Sequence, residues 1–396
     1  MVRPSRSHQP LNSTDPQQKI FSPLSHPSWS LGLQVFGALR TEGSHINTLI
    51  SPALLVNSLN ALSYTAKGAT SMQLKELLKP YKDEKQAEKL SSSPFLSMRE
   101  ANGSSYTVHS SSAFFSKQVP TLESDFLKEL QARFELNHVA LGAGDQQEDM
   151  EMLSSWAKSG MGGVKVMPLN REPEAKEGAL ILASALHFKG FWDRGFTEKN
   201  KDLRSFLGKK YTNVPMMHRK GAYRHYEDME NMVQVLELGL WGGKVSMVLL
   251  LPFHVESLAR LERRLTLEQL EKWLGKLSSI SMALSLPRVN VSSTLSLQKQ
   301  LAALGVVDAW DQKVADFSGV RKGKLYLADV LHWASLELAS DSGGVEGVEE
   351  KQHVEKPKIF YADHPFIFLV MDNSTGALMM LGALDLAEGP AMHDEL

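Results

Sequence analysis

The residues best suited to chemistry in this chain lie near its C-terminus, in the segment IFYADH at residues 359–364. Residues two apart point to the same side of an extended segment, so Ile359, Tyr361 and Asp363 are expected to share one surface. A carboxylate accepts two parallel N–H bonds from a guanidinium group, and this geometry selects arginine over lysine. The spacing therefore predicts a surface on which an isoleucine and a tyrosine flank an acid whose chemistry would suit a guanidinium group.

Two apolar runs follow this segment and must hold it in position. Residues 367–370 and 377–381 are apolar, and the turn-forming sequence DNSTG at 372–376 separates them. This pattern predicts a β-hairpin. Neither run alternates with polar residues, so both faces of the hairpin are expected to be covered. The acid then lies at the mouth of a rigid, buried hairpin.

Composition excludes several classes of function. The chain has 396 residues, a net charge of -2 and no cysteine, which leaves no basic field for nucleic acid and no thiolate for catalysis or metal binding. Its 13 histidines show no metal-binding spacing, and the P-loop, G-x-S-x-G and H-E-x-x-H motifs are absent. No apolar run reaches the roughly 18–20 residues of a membrane-spanning helix. We expect a binding protein without cofactor, metal or membrane insertion, and not an enzyme.

The two ends of the chain carry different signals. Residues 1–27 are polar and proline-rich, with no apolar signal segment, and are expected to form a flexible arm. Residues 28–385 are expected to form one domain. The tail 386–396 ends in HDEL, a retrieval address of the endoplasmic reticulum, formed by His393, Asp394, Glu395 and Leu396. We therefore expect residence in its lumen, contact with a retrieval receptor, and an entry signal missing from this version of the sequence.

Periodicity predicts the remaining elements. Helices are expected at residues 29–39, 123–134, 147–159 and 295–304, with a helical pair at 257–277. Strands are expected at residues 179–188, 279–286 and 325–339. Capping boxes are expected at Thr70 with Gln73 and at Thr266 with Gln269.

Several motifs follow one another in the order found in the serpin family. They are N-x-x-x-S-P at residues 47–52, F-K-G-x-W at 188–192, P-M-M at 215–217, interpreted as a turn into the second sheet, and F-Y-A-D-H-P-F at 360–366. The chain thus resembles the serpins over nearly all of residues 28–384. This resemblance implies a mixed α/β fold with three β-sheets, a surrounding set of helices and an exposed reactive-centre-type loop.

The last motif and the terminal HDEL resemble one serpin branch, the collagen-binding chaperones of the endoplasmic reticulum (clade H). In that branch an aspartate of F-Y-A-D-H-P-F pairs with arginine in Gly-Xaa-Arg triple helices, which implies this role for Asp363. Ile359 and Tyr361 are implied as its apolar platform. The resemblance also assigns Arg204, Leu207 (where the branch has methionine) and Ser285 to the site.

Release of the ligand at lower pH is a further trait of that branch, and histidine titrates in the relevant range. The positions that match histidines of the branch are His218, His254, His332 and His364. Thr197, Glu198 and Phe253 depart from the branch pattern, which predicts a shallower response or a shifted midpoint. Glycosylation is expected at Asn12, Asn102 and Asn290, whereas Asn373 lies in a tight turn and is expected to be inaccessible.

Two alternatives to a collagen chaperone remain open. Most serpins inhibit serine proteases, which requires the cleaved loop to enter a sheet as a strand. In this chain the loop at residues 342–350 reads SGGVEGVEE, and either register buries a carboxylate at a cost of several kcal/mol. We therefore expect a non-inhibitory chaperone for collagen and procollagen. A protease inhibitor of the secretory pathway and a diverged paralogue without collagen binding are the alternatives.

Overall fold

The structure is a computed structural model that describes residues 23–43, 47–79, 95, 106–119, 122–240, 242–340 and 356–391. The α-helices in these ranges are α1 Pro27–Thr41, α2 Pro52–Thr65, α3 Gly68–Leu77, α4 Ser124–Phe134, α5 Gln146–Gly160, α6 Ala259–Arg264, α7 Leu267–Gly275 and α8 Gln298–Ala303. The strands are β1 Thr48–Ile50, β2 Tyr106–Lys117, β3 Leu136–Leu141, β4 Ala179–Phe191, β5 Thr197–Leu207, β6 Tyr211–Asp228, β7 Val233–Gly239, β8 Val245–Pro252, β9 Ser278–Pro287, β10 Asn290–Ser296, β11 Tyr326–Ala339, β12 Lys358–Tyr361, β13 Phe366–Asp372 and β14 Leu378–Leu384.

The strands form a five-stranded and a nine-stranded sheet. The smaller has the order β10-β11-β4-β2-β3, and the larger has the order β1-β14-β13-β8-β7-β6-β9-β12, with β5 added to β6. The long strand β6 pairs with β5 and β9 along its first part and with β7 near its end. The expected mixed α/β fold with several sheets is confirmed, and β6 joins two of the expected sheets into one hydrogen-bonded network.

The C-terminal hairpin forms as predicted. Strands β13 and β14 are antiparallel and wholly buried, and β13 also pairs with β8. The turn is closed by the Asp372 carboxylate, which accepts a bond from the Ser374 amide, and by Gly376 at φ +71. Helix α1 contacts this turn, since the Trp29 indole donates to the Gly376 carbonyl at 2.8 Å. The first helix and the last hairpin are therefore parts of one packed unit.

Most predicted helices are present, but the capping box at Thr70 and Gln73 is wrong. Helix α3 begins after Lys67, which makes no side-chain cap, so Thr70 is already inside the helix. Thr70 Oγ1 instead accepts a bond from the Asp316 amide, and Gln73 Oε1 accepts from the amides of residues 307 and 308. Partners distant in sequence thus replaced the local ones. At Thr266 the cap is confirmed, since its side chain accepts from the Gln269 amide, but the Gln269 side chain contacts Asp228 instead of making the reciprocal bond of a capping box.

Two further predictions of local structure are wrong. The helix expected at 295–304 begins only at Gln298, because Leu295 belongs to β10 and pairs with His332 of β11. The turn expected at 215–217 is part of the continuous strand β6, where Pro215 pairs with Leu203. In both places pairing with a neighbouring strand overrides the local pattern.

The ends of the described chain are packed against the core. Residues 23–25 form a 3-10 turn with Leu24 buried, although the sequence places them in the arm; residues 1–22 lie outside the described ranges. At the other end, Ala387 is buried and its carbonyl accepts a bond from the Thr212 hydroxyl. The tail therefore contacts the start of β6. The HDEL sequence lies outside the described residues.

Two buried histidines serve as neutral structural groups. In His332, which is fully buried, Nε2 accepts a bond from the Ser51 amide and Nδ1 lies 2.8 Å from Ser184 Oγ. Burial lowers the pKa of His332 to about 3. His26 caps α1 by accepting a bond from the Ser28 amide, and burial lowers its pKa to about 4, against a smaller raising effect of Asp372. A ring that stays neutral above pH 5 does not favour a switching role for His332.

These two rings predict an acid-sensitive stability. The pKa of a histidine in the unfolded chain is about 6.5, so below that pH the unfolded state binds more protons than the folded state. We expect the free energy of unfolding to fall as the pH goes from 7 to 5, by up to about 1.4 kcal/mol per pH unit for each ring. Urea titrations at pH 7, 6 and 5 measure this slope.

A pair of variants separates the contribution of His332 to this pH dependence from the contributions of the other histidines. We expect His332→Asn to show a shallower dependence of the unfolding free energy on pH, because one depressed pKa is removed. The exposed His254 provides the control, and His254→Asn should keep the wild-type slope. Equal slopes in the two variants would contradict this account.

Arg40 ties three parts of the chain together. Its guanidinium donates two bonds to the Asp385 carboxylate, at 2.6 and 2.9 Å, and a third to Glu262 at 2.6 Å. The side chains of Arg40 and Asp385 are 9% and 5% exposed, so solvent screens this ion pair very little. Helix α1, helix α6 and the residue after β14 are held at this point.

Removing the cation should leave a buried carboxylate without its partner. We expect Arg40→Met to lower the free energy of unfolding by roughly 3–5 kcal/mol. Lys128→Met is the matched control, since Lys128 and its partner Asp125 are 77% and 92% exposed and their pair contributes less than about 1 kcal/mol. Urea denaturation followed by tryptophan fluorescence measures both, and similar midpoints for the two variants would refute the assigned role.

Candidate functional site

The candidate residues gather on one four-stranded part of the larger sheet. Strand β12 pairs with β9, β9 with β6, and β6 with β5. The register places Tyr361 beside Ser285, and Ser285 beside His218, in one row across three strands. Residue 285, which is far from residues 359 and 361 in the sequence, is thus brought to the same surface.

Asp363 is fixed through the main chain on both sides. The Leu207 amide, at the end of β5, donates to the Asp363 carbonyl at 2.7 Å. The amide of the preceding residue, the buried Ala362, donates to the Ser285 carbonyl at 2.9 Å. Leu207 therefore takes part in the site through its backbone. The Asp363 side chain is 28% exposed, so its carboxylate can reach a partner in solution.

The imidazole of His364 lies between two hydrogen-bond acceptors. Its Nδ1 is 2.8 Å from Asp363 Oδ1, and its Nε2 is 2.7 Å from the Pro252 carbonyl. A neutral ring carries one proton, and a doubly protonated ring donates at both nitrogens. Both contacts are therefore satisfied only by the charged ring. With one proton on Nε2, the ring presents a lone pair to the carboxylate of Asp363.

Arg204 belongs to a second charged group on the same surface. Its Nε is 2.7 Å from Asp202 Oδ1, while the other oxygen of Asp202 is 2.6 Å from His218 Nε2. The Nδ1 of His218 is 2.9 Å from Ser285 Oγ. The series Arg204, Asp202, His218 and Ser285 links β5 to β9. Sequence reasoning missed Asp202, although its D-x-R spacing, which would put both side chains on one face of an extended segment, is a signal that could have identified it.

Tyr361 connects the two charged groups. Burial raises the pKa of its phenol, with Asp363 and Asp202 acting in the same direction and Arg204 opposing them. The phenol thus remains protonated, and it interacts electrostatically with Asp363 and with the Arg204–Asp202 pair. Ile359, which lies two residues before Tyr361 on β12, is 70% exposed. An exposed β-branched side chain beside a half-buried tyrosine forms the apolar flank of the carboxylate.

The other predicted residues that the structure describes lie on other elements. His254 is exposed in the loop after β8, and His332 is buried in the smaller sheet. Asn290 is exposed at the start of β10. Asn373 donates from its amide nitrogen to the Gly243 carbonyl at 3.1 Å. Asn12, Asn102 and the loop at 342–350 lie outside the described residues.

Among the described residues, no group of three or more histidine, cysteine, aspartate or glutamate side chains is placed to hold a metal ion. Within those ranges, too, every helix is too short or too polar to cross a lipid bilayer. The candidate site is a partly apolar surface on which the side chains of Asp363 and Asp202 are 28% and 23% exposed.

Comparison with known proteins gives a consistent result. A family model described as Serpin (serine protease inhibitor) matches residues 28–385. Serpin H1 of Mus musculus is 33% identical over 378 residues, covering 94% of this chain and 90% of that protein. Serpin H1 of Gallus gallus is 32% identical, with coverages of 94% and 93%. The leukocyte elastase inhibitor of Homo sapiens is 27% identical, with coverages of 91% and 98%.

Solved structures agree at the level of the fold. Uncleaved ovalbumin has a TM-score of 0.78 at 21% identity, covering 92% of this chain and 99% of that one. A structure described as a tumour suppressing serpin has a TM-score of 0.77 at the same identity. At this identity the similarity bears on the architecture alone.

Proposed function

Since the chain belongs to the serpin family, we propose that it is a non-inhibitory member that binds collagen and procollagen triple helices through arginine in Gly-Xaa-Arg repeats. The similarity to Serpin H1 and the resemblance to the clade H chaperones support this reading. Binding to the folded triple helix in preference to the unfolded chains stabilises it by mass action, without catalysis or cofactor.

The observation that carries the proposal is the setting of Asp363. Its main chain is held at both Leu207 and Ser285, while its carboxylate remains partly exposed. A fixed carboxylate is ready for two parallel bonds from a guanidinium group, because its side chain has little conformational freedom left to lose on binding. The same preorganisation discriminates against lysine, which offers a single charged centre.

The surface around this carboxylate suits a rod-shaped ligand. Tyr361 and Ile359 extend back from Asp363 along β12, and Arg204 on β5 is near enough to Tyr361 to act on the pKa of its phenol. Residues at alternate positions on paired strands form a shallow face and not a deep pocket. A triple helix offers a convex surface with projecting side chains, so contact with an aromatic, an aliphatic and an acidic group is the mode of recognition open to it.

Residence in the lumen of the endoplasmic reticulum is part of the proposal. The sequence HDEL at residues 393–396 supports retrieval by a luminal receptor. The exposed Asn290 lies in an N-x-S sequence and is proposed as a glycan acceptor, together with Asn12 and Asn102. Modification at any of them places the chain in the secretory pathway.

Protease inhibition is the alternative, and the similarity to an elastase inhibitor favours it. The glutamates of the loop at 342–350 oppose it, because entry of this sequence into a sheet buries charge. We therefore favour binding without inhibition.

Neutralising Asp363 tests the proposal directly. We expect Asp363→Asn to weaken binding to a Gly-Pro-Arg triple-helical peptide by about ten- to a hundredfold, since a bond to a charged group contributes about 1.5–3 kcal/mol. The asparagine can accept a bond from the charged ring of His364 or donate one to the lone pair of the neutral ring, which limits structural change. Calorimetric titration at pH 7.5 measures the affinity.

Asp125→Asn is the matched control, because it removes the same charge from α4, which packs against the smaller sheet. It should bind the peptide as tightly as the wild type. If Asp363→Asn also binds with unchanged affinity, the assignment of this surface fails.

The contacts of His364 predict weaker binding in acid. A doubly protonated His364 donates a charged bond to Asp363 and so competes with the incoming guanidinium. A neutral ring donates to Pro252 alone and leaves the carboxylate available. We therefore expect the wild type to bind the peptide more tightly at pH 7.5 than at pH 6.0.

Replacing the ring removes this competition. We expect His364→Gln to reduce the ratio of affinities between the two pH values, measured with the same peptide. His254→Gln, in an exposed loop, should retain the wild-type ratio. Equal wild-type affinity at pH 7.5 and 6.0 would exclude release by this route.

A further inference from the structure

Lys220 occupies the binding surface one row away from the predicted contacts. On β6 it lies two residues after His218, and it pairs with Ala283 of β9, which in turn pairs with Ile359 of β12. Because alternate residues share a face, Lys220 projects on the same side as His218, Ile359 and Tyr361. The inner face of the same strand holds the buried Met217 and Tyr223. The direction of the Lys220 side chain is thus set by the core beneath it.

Lys220 differs from its cationic neighbours in lacking an acidic partner. Arg204 pairs with Asp202, Arg224 with Glu237, and Lys358 with Glu227. In the described part of the chain, no carboxylate lies within ion-pair distance of Lys220, and its side chain is exposed. The residue between Lys220 and Ile359 is alanine, so the ammonium group is not screened by a large neighbour.

We infer that Lys220 is an anion contact of this surface, and that the ligand carries an acidic residue near the arginine bound by Asp363. This inference rests on the proposed binding of triple helices and refines it. The surface then has a carboxylate at one end, an unpaired ammonium group at the other, and Ile359 and Tyr361 between them. Complementary charges at two points fix the register and direction of a rod that otherwise repeats along its length.

The separation of the two charges limits the position of the acidic residue. Four residues of extended chain separate Ile359 from Asp363, which corresponds to about 13 Å. The two strand spacings from β12 to β6 add about 10 Å across the sheet, which gives a diagonal of about 16 Å. One triplet of a polyproline-like chain advances about 9 Å. The carboxylate therefore belongs one or two triplets from the arginine.

The test uses synthetic triple-helical peptides that contain a single Gly-Pro-Arg triplet among neutral triplets. Four further peptides carry glutamate at the Xaa position, one or two triplets to either side of the arginine. The measured quantity is the ratio of affinities between each acidic peptide and the neutral one at pH 7.5. We expect a ratio of about two to five for at least one position, falling as the salt concentration rises above 0.15 M.

Lys220→Met should reduce this ratio to about one. The control is Lys272→Met, which removes an exposed lysine from α7 and should retain the wild-type ratio. A thermal melt equal to that of the wild type establishes that Lys220→Met is folded. A ratio that persists in Lys220→Met, or no preference for any acidic peptide in the wild type, overturns the inference about Lys220.

The outcome also distinguishes this inference from the proposed function. If the wild type binds the neutral Gly-Pro-Arg peptide without preference for glutamate, collagen binding stands and the role of Lys220 fails. If the wild type binds neither the neutral nor any acidic peptide, both fail together.

Discussion

The alternation of side chains along β6 is the constraint on which this molecule depends. The inner face of the strand contributes Met217 and Tyr223 to the core, while the outer face carries His218 and Lys220. A slip of one residue would exchange the two faces, exposing apolar side chains and burying charges. The register that preserves the core therefore also aligns β9 and β12 with β6. The positions of the outer side chains are therefore fixed by the same strand register that fixes the core.

A second consequence of this arrangement is the position of Asp363 at the boundary between core and solvent. His364, 7% exposed, approaches the carboxylate from the inside, and solvent reaches it from the outside. The carboxylate is therefore positioned by a buried ring whose other nitrogen contacts the Pro252 carbonyl. Two adjacent residues of the sequence thus combine a partly exposed acid with a buried group that orients it.

The sequence alone was sufficient to predict secondary structure where the pattern that determines it is local. The hairpin β13–β14, helix α1 and the cap at Thr266 follow from apolar runs and spacing. The box at Thr70 failed because Asp316, distant in the chain, supplied its partner.

The rest of the candidate surface depends on register across strands, which no local pattern contains. Asp202 belongs to the candidate site because it contacts His218, and the inference about Lys220 depends on its register with Ile359. The histidines illustrate the same limit. His332 and His364 are alike in type, but only the structure distinguishes a ring that is wholly enclosed from one that contacts an accessible acid.

The contact between Trp29 and the Gly376 turn has a consequence for biosynthesis. Strand β13 lies between β8 and β14, so a sheet begun by earlier residues stays incomplete until the hairpin emerges from the ribosome. From the synthesis of β8 until the hairpin emerges, the nascent chain exposes an apolar sheet edge, a surface prone to aggregation. The hairpin synthesised after β8 therefore covers this edge, and any delay in its folding prolongs the exposure.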